Sequence, residues 1–331
     1  MARSSATAET PVALGHGGGL PADAPEPAEG RLGRRRASDR PPGEPRHIGY
    51  LYLLPALLIF GAFTLAPLVH SIWLSFFDWD GITAGKWVGL ANYGDVLSDP
   101  VQRSAFGHAL VLLIFYAVIP LAIGLLIAGM VGRSHIRGFA FFRVVLFLPQ
   151  VVALVVVAVM WRMIYDPNDG PINEALRAVG LGGLAKSWLG DFDVALPAVG
   201  LIGTWVMYGL AMVLLTAGVQ KIPQSLYDAA RVDGAGPVRE FFAVTLPALR
   251  GEIAVALTLS TIAALRNFDL VYITTKGGPG TATTVPAYQV YERAFLTGKV
   301  GSASALGLTL AALIFLLSTI INRVAERGAP R

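Results

Sequence analysis

The chain has 331 residues, 54% of them hydrophobic and 15% charged, with a mean hydropathy of +0.59. A soluble domain carries about 25% charge, and here the charge sits between long uncharged windows, which excludes a disordered chain, a coiled coil and an ordinary soluble enzyme. The net charge of +4 follows membrane topology rather than nucleic-acid contact, and the absence of cysteine excludes disulfides, thiolate metal sites and a cysteine nucleophile.

Residues 1–47 come first and differ from everything after them. They hold seven prolines, from Pro11 to Pro45, a glycine run at Gly17–Gly19 and a basic end from Arg31 to Arg46. Such a segment buries too little apolar surface to offset chain entropy, so a disordered basic tail is expected. The apolar run that opens near Gly49 is too long for a signal-peptide core and reads as an uncleaved first span.

A bilayer-crossing helix needs about 20 apolar residues. Six windows qualify: 49–75, 105–131, 141–163, 195–217, 253–275 and 303–322. The expected fold is therefore all-α, a polytopic membrane protein of six transmembrane helices over residues 48–325, closed by a short C-terminal segment at 326–331. Trp73, Trp161, Tyr165 and Trp188 lie near span ends or in the next loop, as interfacial anchors would. Six spans put both termini on one side, and that side carries 17 Lys and Arg against 7 on the other. The positive-inside rule makes it the cytoplasm.

On the cytoplasmic side the loop between spans two and three is short and basic, with Arg133, His135 and Arg137. The loop between spans four and five is far longer than a turn requires. Over 222–247 it reads as two short helices with a bend. Pro223 opens the first, Gly234 permits the turn, Pro237 opens the second and Pro247 ends it. Phe241, Val244 and Leu246 are apolar on this loop. They either pack on the chain's own spans or form a docking surface, and the sequence leaves both open.

This loop resembles the EAA loop of ABC importer permeases, E-A-A-x-x-D-G-A, five variable residues, then F-x-x-I-x-L-P. Asp228 stands at the glutamate. Ala229, Ala230, Asp233, Gly234 and Ala235 follow in register, and Phe241, Val244, Leu246 and Pro247 fill the second half. Aspartate for glutamate and valine for isoleucine are the departures, and both keep the chemistry. The resemblance implies a coupling helix seated in a groove of an ATP-binding subunit, whose closure tilts the spans between inward- and outward-facing states.

Other stretches are similar to the carbohydrate-uptake branch of that family, the "first" permease subunits of maltose and glycerol-phosphate systems. Val88-Gly89-Leu90-Ala91-Asn92-Tyr93 resembles F-V-G-L-x-N-Y, and Phe142-Arg143 with Leu148-Pro149 resembles the start of their third span. Phe268–Pro279 is similar to F-D-x-x-Y-x-x-T-x-G-G-P, and Gly301, Ala303 and Ala305 precede the sixth span as in those subunits. The resemblance covers residues 48–325. It implies a heterodimer with a second permease subunit, two copies of an ATP-binding subunit, an extracytoplasmic solute-binding protein and a bacterial inner membrane.

Asn267 and Asp269, beside Arg266, are polar groups at one end of a span, where ionisable residues are costly and usually face a cavity or each other. Together with Phe268 and Tyr272, and with Trp205 and Tyr208 of the fourth span, they are the candidate substrate path for a polyol. The alternative is structural: packing aromatics, with Arg266 snorkelling to the headgroups. Asp78, Asp80, Asp95 and Asp99 form either a solvated face or part of a landing surface for a binding protein.

Lys276-Gly277-Gly278-Pro279-Gly280-Thr281 lacks the Gly-Lys-Ser/Thr ending of a phosphate loop, and the five histidines are dispersed. No catalytic set, metal site or cofactor site is expected in this chain, and ATP with magnesium belongs to the partner subunit. A secondary transporter or channel acting without an ATPase is the alternative, but it leaves the long cytoplasmic loop without a purpose. A membrane enzyme would need clustered acid and base groups at one face.

Overall fold

The computed structural model describes residues 48–131 and 139–327. The expected tail at 1–47, the loop with Arg133, His135 and Arg137, and residues 328–331 lie outside the described residues. The chain divides into a unit ending at Ala56, described as helix from Ile48, and a second unit, Leu57–Arg331.

Among the described residues four helices are long and apolar enough to cross a bilayer, and two of them come first: α1 (Tyr50–Leu74), followed by β1 (Phe77–Asp78), β2 (Lys86–Trp87) and α2 (Ala91–Ser98), and then α3 (Pro100–Met130). The third span is a bent pair, α4 (Phe141–Val151) and α5 (Leu154–Ile164), meeting at 95°. After α6 (Pro171–Ala178) comes the straight fourth span, α7 (Ala195–Val219). The loop helix α8 (Gln224–Val232) leads to a second bent pair, α9 (Pro237–Ala248) and α10 (Arg250–Leu265), at 70°. Two short helices, α11 (Asp269–Thr274) and α12 (Pro286–Tyr291), precede the sixth span, α13 (Val300–Arg327). Counting each bent pair once gives six spans.

Two expected spans are revised. The third is not one rod over 141–163, because it breaks at Val152 and Ala153, where Ala153 takes an extended ψ of 132° and its carbonyl starts the next helix. The fifth does not run to 275. Its helix ends at Leu265, and Arg266, Asn267 and Phe268 form a break before α11. Irregular backbone at membrane depth is tolerated where protein or a polar cavity surrounds it, so these breaks mark positions of interest.

The fourth span is the central one, with most of its residues buried. Within lipid, helices associate by close packing and side-chain hydrogen bonds rather than by the hydrophobic effect. Both act between α3 and α7. A π-helical turn at Ile114–Val118 leaves the Phe115 carbonyl free to accept from Thr204 Oγ1 at 2.6 Å. The Tyr116 ring lies directly over Gly203, where a Cβ would fall 1.9 Å from Tyr Cε2. The Asn-Tyr of the motif at 88–93 has a local structural role. The Asn92 amide donates to the carbonyls of Ser75 and Phe77, both at 2.9 Å, and Tyr93 Oη meets Ser75 Oγ at 2.8 Å, tying α2 to the end of α1.

The four aromatics expected as interfacial anchors differ in their surroundings. Tyr165 is buried and donates to the Ala198 carbonyl, Trp161 packs edge-on against Trp205 with centroids 5.8 Å apart, and Trp188 donates its indole N–H to Asn173 Oδ1. Trp73 remains 58% exposed.

Candidate functional site

The loop helices form from local signals. Pro223 caps α8, which ends in a Schellman turn: Ala235 N–H reaches the Ala230 carbonyl at 2.9 Å and Gly234 N–H reaches the Arg231 carbonyl at 3.0 Å. That turn requires a left-handed residue, and Gly234 supplies it with φ +75°. A Cβ at Gly234 would meet nothing within 4 Å, so the conformation is the constraint there and the surrounding space is open. Pro237 then starts α9 from an extended Gly236.

Two contacts hold α8 against α9. Tyr227 Oη and Thr245 Oγ1 share a buried hydrogen bond of 3.0 Å, and Arg231 Nε meets the nearly buried Glu240 carboxylate at 3.0 Å. Arg231 also reaches Asp228 at 3.4 Å on the exposed side. The helix expected to stop at Pro247 runs to Ala248 through a π-helical turn at Phe241–Thr245, and the bend falls at Leu249.

The ten expected loop residues divide by exposure. Asp228, Ala229, Asp233 and Gly234 are exposed, and Ala230 and Ala235 are half-buried. Phe241 packs toward the end of α3, its ring 3.0 Å from where a Gly129 Cβ would be. Val244 and Pro247 line a groove of about 890 Å³ with Leu226 and residues near the end of α13, and Leu246 lines the adjoining one. In the second half Phe241 packs on the chain itself while Val244, Leu246 and Pro247 line grooves, and in the first half Asp228, Ala229, Asp233 and Gly234 are exposed. Four large apolar side chains outside the motif positions are also exposed here: Leu226, Val232, Val238 and Phe242. Their signal was available, because each is apolar on a loop outside the spans.

At the other region the breaks gather aromatic rings. Phe268 stacks on Tyr272 with centroids 5.2 Å apart, and Tyr291 stands 5.2 Å edge-on to Tyr272. Trp161, Trp205, Phe268 and Tyr272 pack around one buried cluster. Asn267 is 6% exposed, and its side-chain nitrogen has no hydrogen-bond partner in the chain. Such an atom costs about 1–3 kcal/mol. Asp269 is exposed in the first turn of α11, and Tyr208 is half-buried on α7 outside that cluster. Phe268, Tyr272 and Trp205 thus border one cluster, Asn267 lies next to Phe268 in the break, and Tyr208 is outside the cluster while Asp269 is exposed. Among the described residues no three His, Asp or Glu side chains come together as metal ligands.

The family model for the binding-protein-dependent transport system inner membrane component matches residues 121–331. The chain belongs to this family. It is a multi-pass membrane permease of a binding-protein-dependent ABC importer, itself without catalytic function, the ATPase residing on a partner. A probable ABC transporter permease protein, YurN of Bacillus subtilis, is 36% identical over 85% of this chain and 97% of its own length. The diacetylchitobiose uptake system permease protein NgcF of Streptomyces coelicolor is 32% identical over 82% of this chain and 81% of its own. A crystal structure of a bacterial ABC transporter involved in import of the acidic polysaccharide alginate contains a chain with the same fold. Its TM-score is 0.73 at 21% identity, covering 85% of this permease and 95% of that chain.

Proposed function

We propose that this permease imports a sugar or related polyol, pairing with a second permease subunit and two copies of an ATP-binding subunit, with both of its termini in the cytoplasm. The loop over 222–247 is the coupling element. The observation that carries this reading is the division of the loop: a self-bonded pair of helices whose exposed side presents Asp228, Ala229, Asp233 and Gly234. Small side chains leave room for a partner's backbone, and the exposed carboxylates offer partners for basic groups. The α9–α10 bend joins the loop directly to the fifth span, so a push on α8 and α9 reaches the break at Asn267 along one helix pair. The substrate path runs past that break, along Asn267, Phe268, Tyr272 and Trp205. The carbohydrate class is supported by the outer-loop motifs and by the named cargo of the Streptomyces relative.

The test is ATP hydrolysis by the reconstituted transporter with and without loaded binding protein. Gly234→Asp is expected to leave the permease inserted in the membrane and to abolish stimulation, through backbone strain of about 1 kcal/mol or more and obstruction of the partner groove. Wild-type assembly and stimulation in this variant would remove the coupling role from the loop.

A further inference from the structure

Helices α10 and α13 pack along one another in opposite directions, and unequally over their length. Toward one end Leu265 and Leu310 share a buried cluster. Toward the other, beside the α9–α10 bend, the small residues Ala254 and Ala325 line both neighbouring grooves. Two methyl groups do not fill the space that two leucine side chains fill. A trough of about 640 Å³ is left between the helices there.

The trough is graded in polarity. Ile253 and Leu257 of α10 and Ile320, Ile321 and Val324 of α13 form its walls. Among the described residues Arg250, the first residue of α10, is the single charged one that lines it. Arg250 also lines the adjoining groove of about 890 Å³, which carries Asn322 and Glu326 and extends to Leu226 of α8. From Leu257 to Arg250 is about 10 Å along the helix. An apolar slot therefore leads up to a polar end that holds both signs of charge. The surface around the slot is apolar as well, with Val255, Leu259, Ile320 and Val324 exposed.

We propose that this trough is a specific phospholipid site and that phosphatidylethanolamine fills it. A bilayer phospholipid has the same gradient as the trough, from apolar chain to charged headgroup. One acyl chain lies along the five apolar wall residues. The planar fork of Arg250 matches a phosphodiester, and basic pockets between spans bind headgroups in this way. Glu326 accepts from the headgroup ammonium beside it. An arginine and a glutamate in one groove select a zwitterion that carries N–H donors. Phosphatidylglycerol brings no cation to Glu326, and phosphatidylcholine brings no N–H. An apolar helix of a partner protein laid in the trough would desolvate Arg250 and Glu326 and satisfy neither. The site goes beyond the import reading and depends neither on the cargo nor on the orientation of the chain.

The test uses the assembled transporter with its partner subunits, in nanodiscs of phosphatidylcholine doped with phosphatidylethanolamine or phosphatidylglycerol. Native mass spectrometry reads the lipid retained on the permease. The wild type is expected to hold phosphatidylethanolamine in preference to both other lipids. Arg250→Gln should weaken that retention about tenfold, the equivalent of one charge-assisted hydrogen bond, and Arg250→Lys should keep most of it. Glu326→Gln should still retain lipid but lose the preference for phosphatidylethanolamine over phosphatidylglycerol. A benzophenone amino acid placed at Ile320, with the rest of the chain native, should crosslink to a lipid acyl chain on illumination. Equal retention of the three lipids by the wild type, or unchanged retention in Arg250→Gln, overturns the proposal. A crosslink from position 320 to another protein subunit also overturns it, because the trough is then a protein interface. The crosslink needs no change at Arg250, so it still decides the occupant if Arg250→Gln fails to fold.

Discussion

Gly234 and Gly203 are both glycines the fold cannot easily replace, for opposite reasons. At Gly234 the backbone is left-handed and the space is open, so strain is the whole cost. At Gly203 the backbone is ordinary helix, and the space belongs to the Tyr116 ring. Gly203→Ala should destabilise the chain by about 1–3 kcal/mol through overpacking, read as a lowered thermal midpoint in detergent with membrane insertion retained. An unchanged midpoint would mean that α3 and α7 are not in this register. Gly234 was legible from its neighbours, because a glycine after a helix-forming stretch and before Ala-Gly-Pro announces a C-terminal turn. Gly203 was silent. Nothing in an apolar window tells which small residue will receive a ring from a distant span.

The elements show where local chemistry suffices. The loop between β1 and β2 is closed by Asp80, whose carboxylate accepts from the N–H groups of Ile82 at 2.9 Å and Thr83 at 2.7 Å and from the Thr83 hydroxyl at 2.9 Å. The Ile82 N–H first, then the Thr83 N–H and hydroxyl, hold the Asp80 carboxyl below its ordinary range. A carboxyl with a depressed folded-state pKa contributes stability above its unfolded pKa and loses it as pH falls through the folded value. Hydrogen exchange at the Ile82 and Thr83 amides should therefore stay slow through neutral and mildly acidic pH, relative to the intrinsic rate, and lose protection only in stronger acid. In Asp80→Asn that acid step should vanish; if it persists, another group closes the loop. The broken spans are the reverse case. Composition alone made 141–163 and 253–275 look continuous, because a break inside an apolar window changes no residue type. It depends on neighbours that satisfy the freed backbone.

For the whole molecule, topology is the claim that charge carries. A cysteine at Ser98 should react with an impermeant thiol reagent from outside whole cells and one at Ser225 should not; both positions are exposed and the native chain has no thiol to interfere. Labelling in the opposite sense would invert the orientation and put the 222–247 loop out of reach of ATP. Sequence by itself determined the number of spans, the family and the two-helix form of that loop. Each depends on one-dimensional quantities: apolar run length, residue spacing, and turn chemistry within a few positions. Only the tertiary structure decided that Tyr165 is buried and bonded to the Ala198 carbonyl, that Trp161 packs on Trp205, and that Phe241 turns onto α3 while Phe242 stays out. It also decided that Asn267 occupies a break with its amide unpaired. An aromatic or amide side chain has the same composition whether it meets lipid, a neighbouring helix or a ligand, and which of these it meets is fixed by helices folded back from distant parts of the chain.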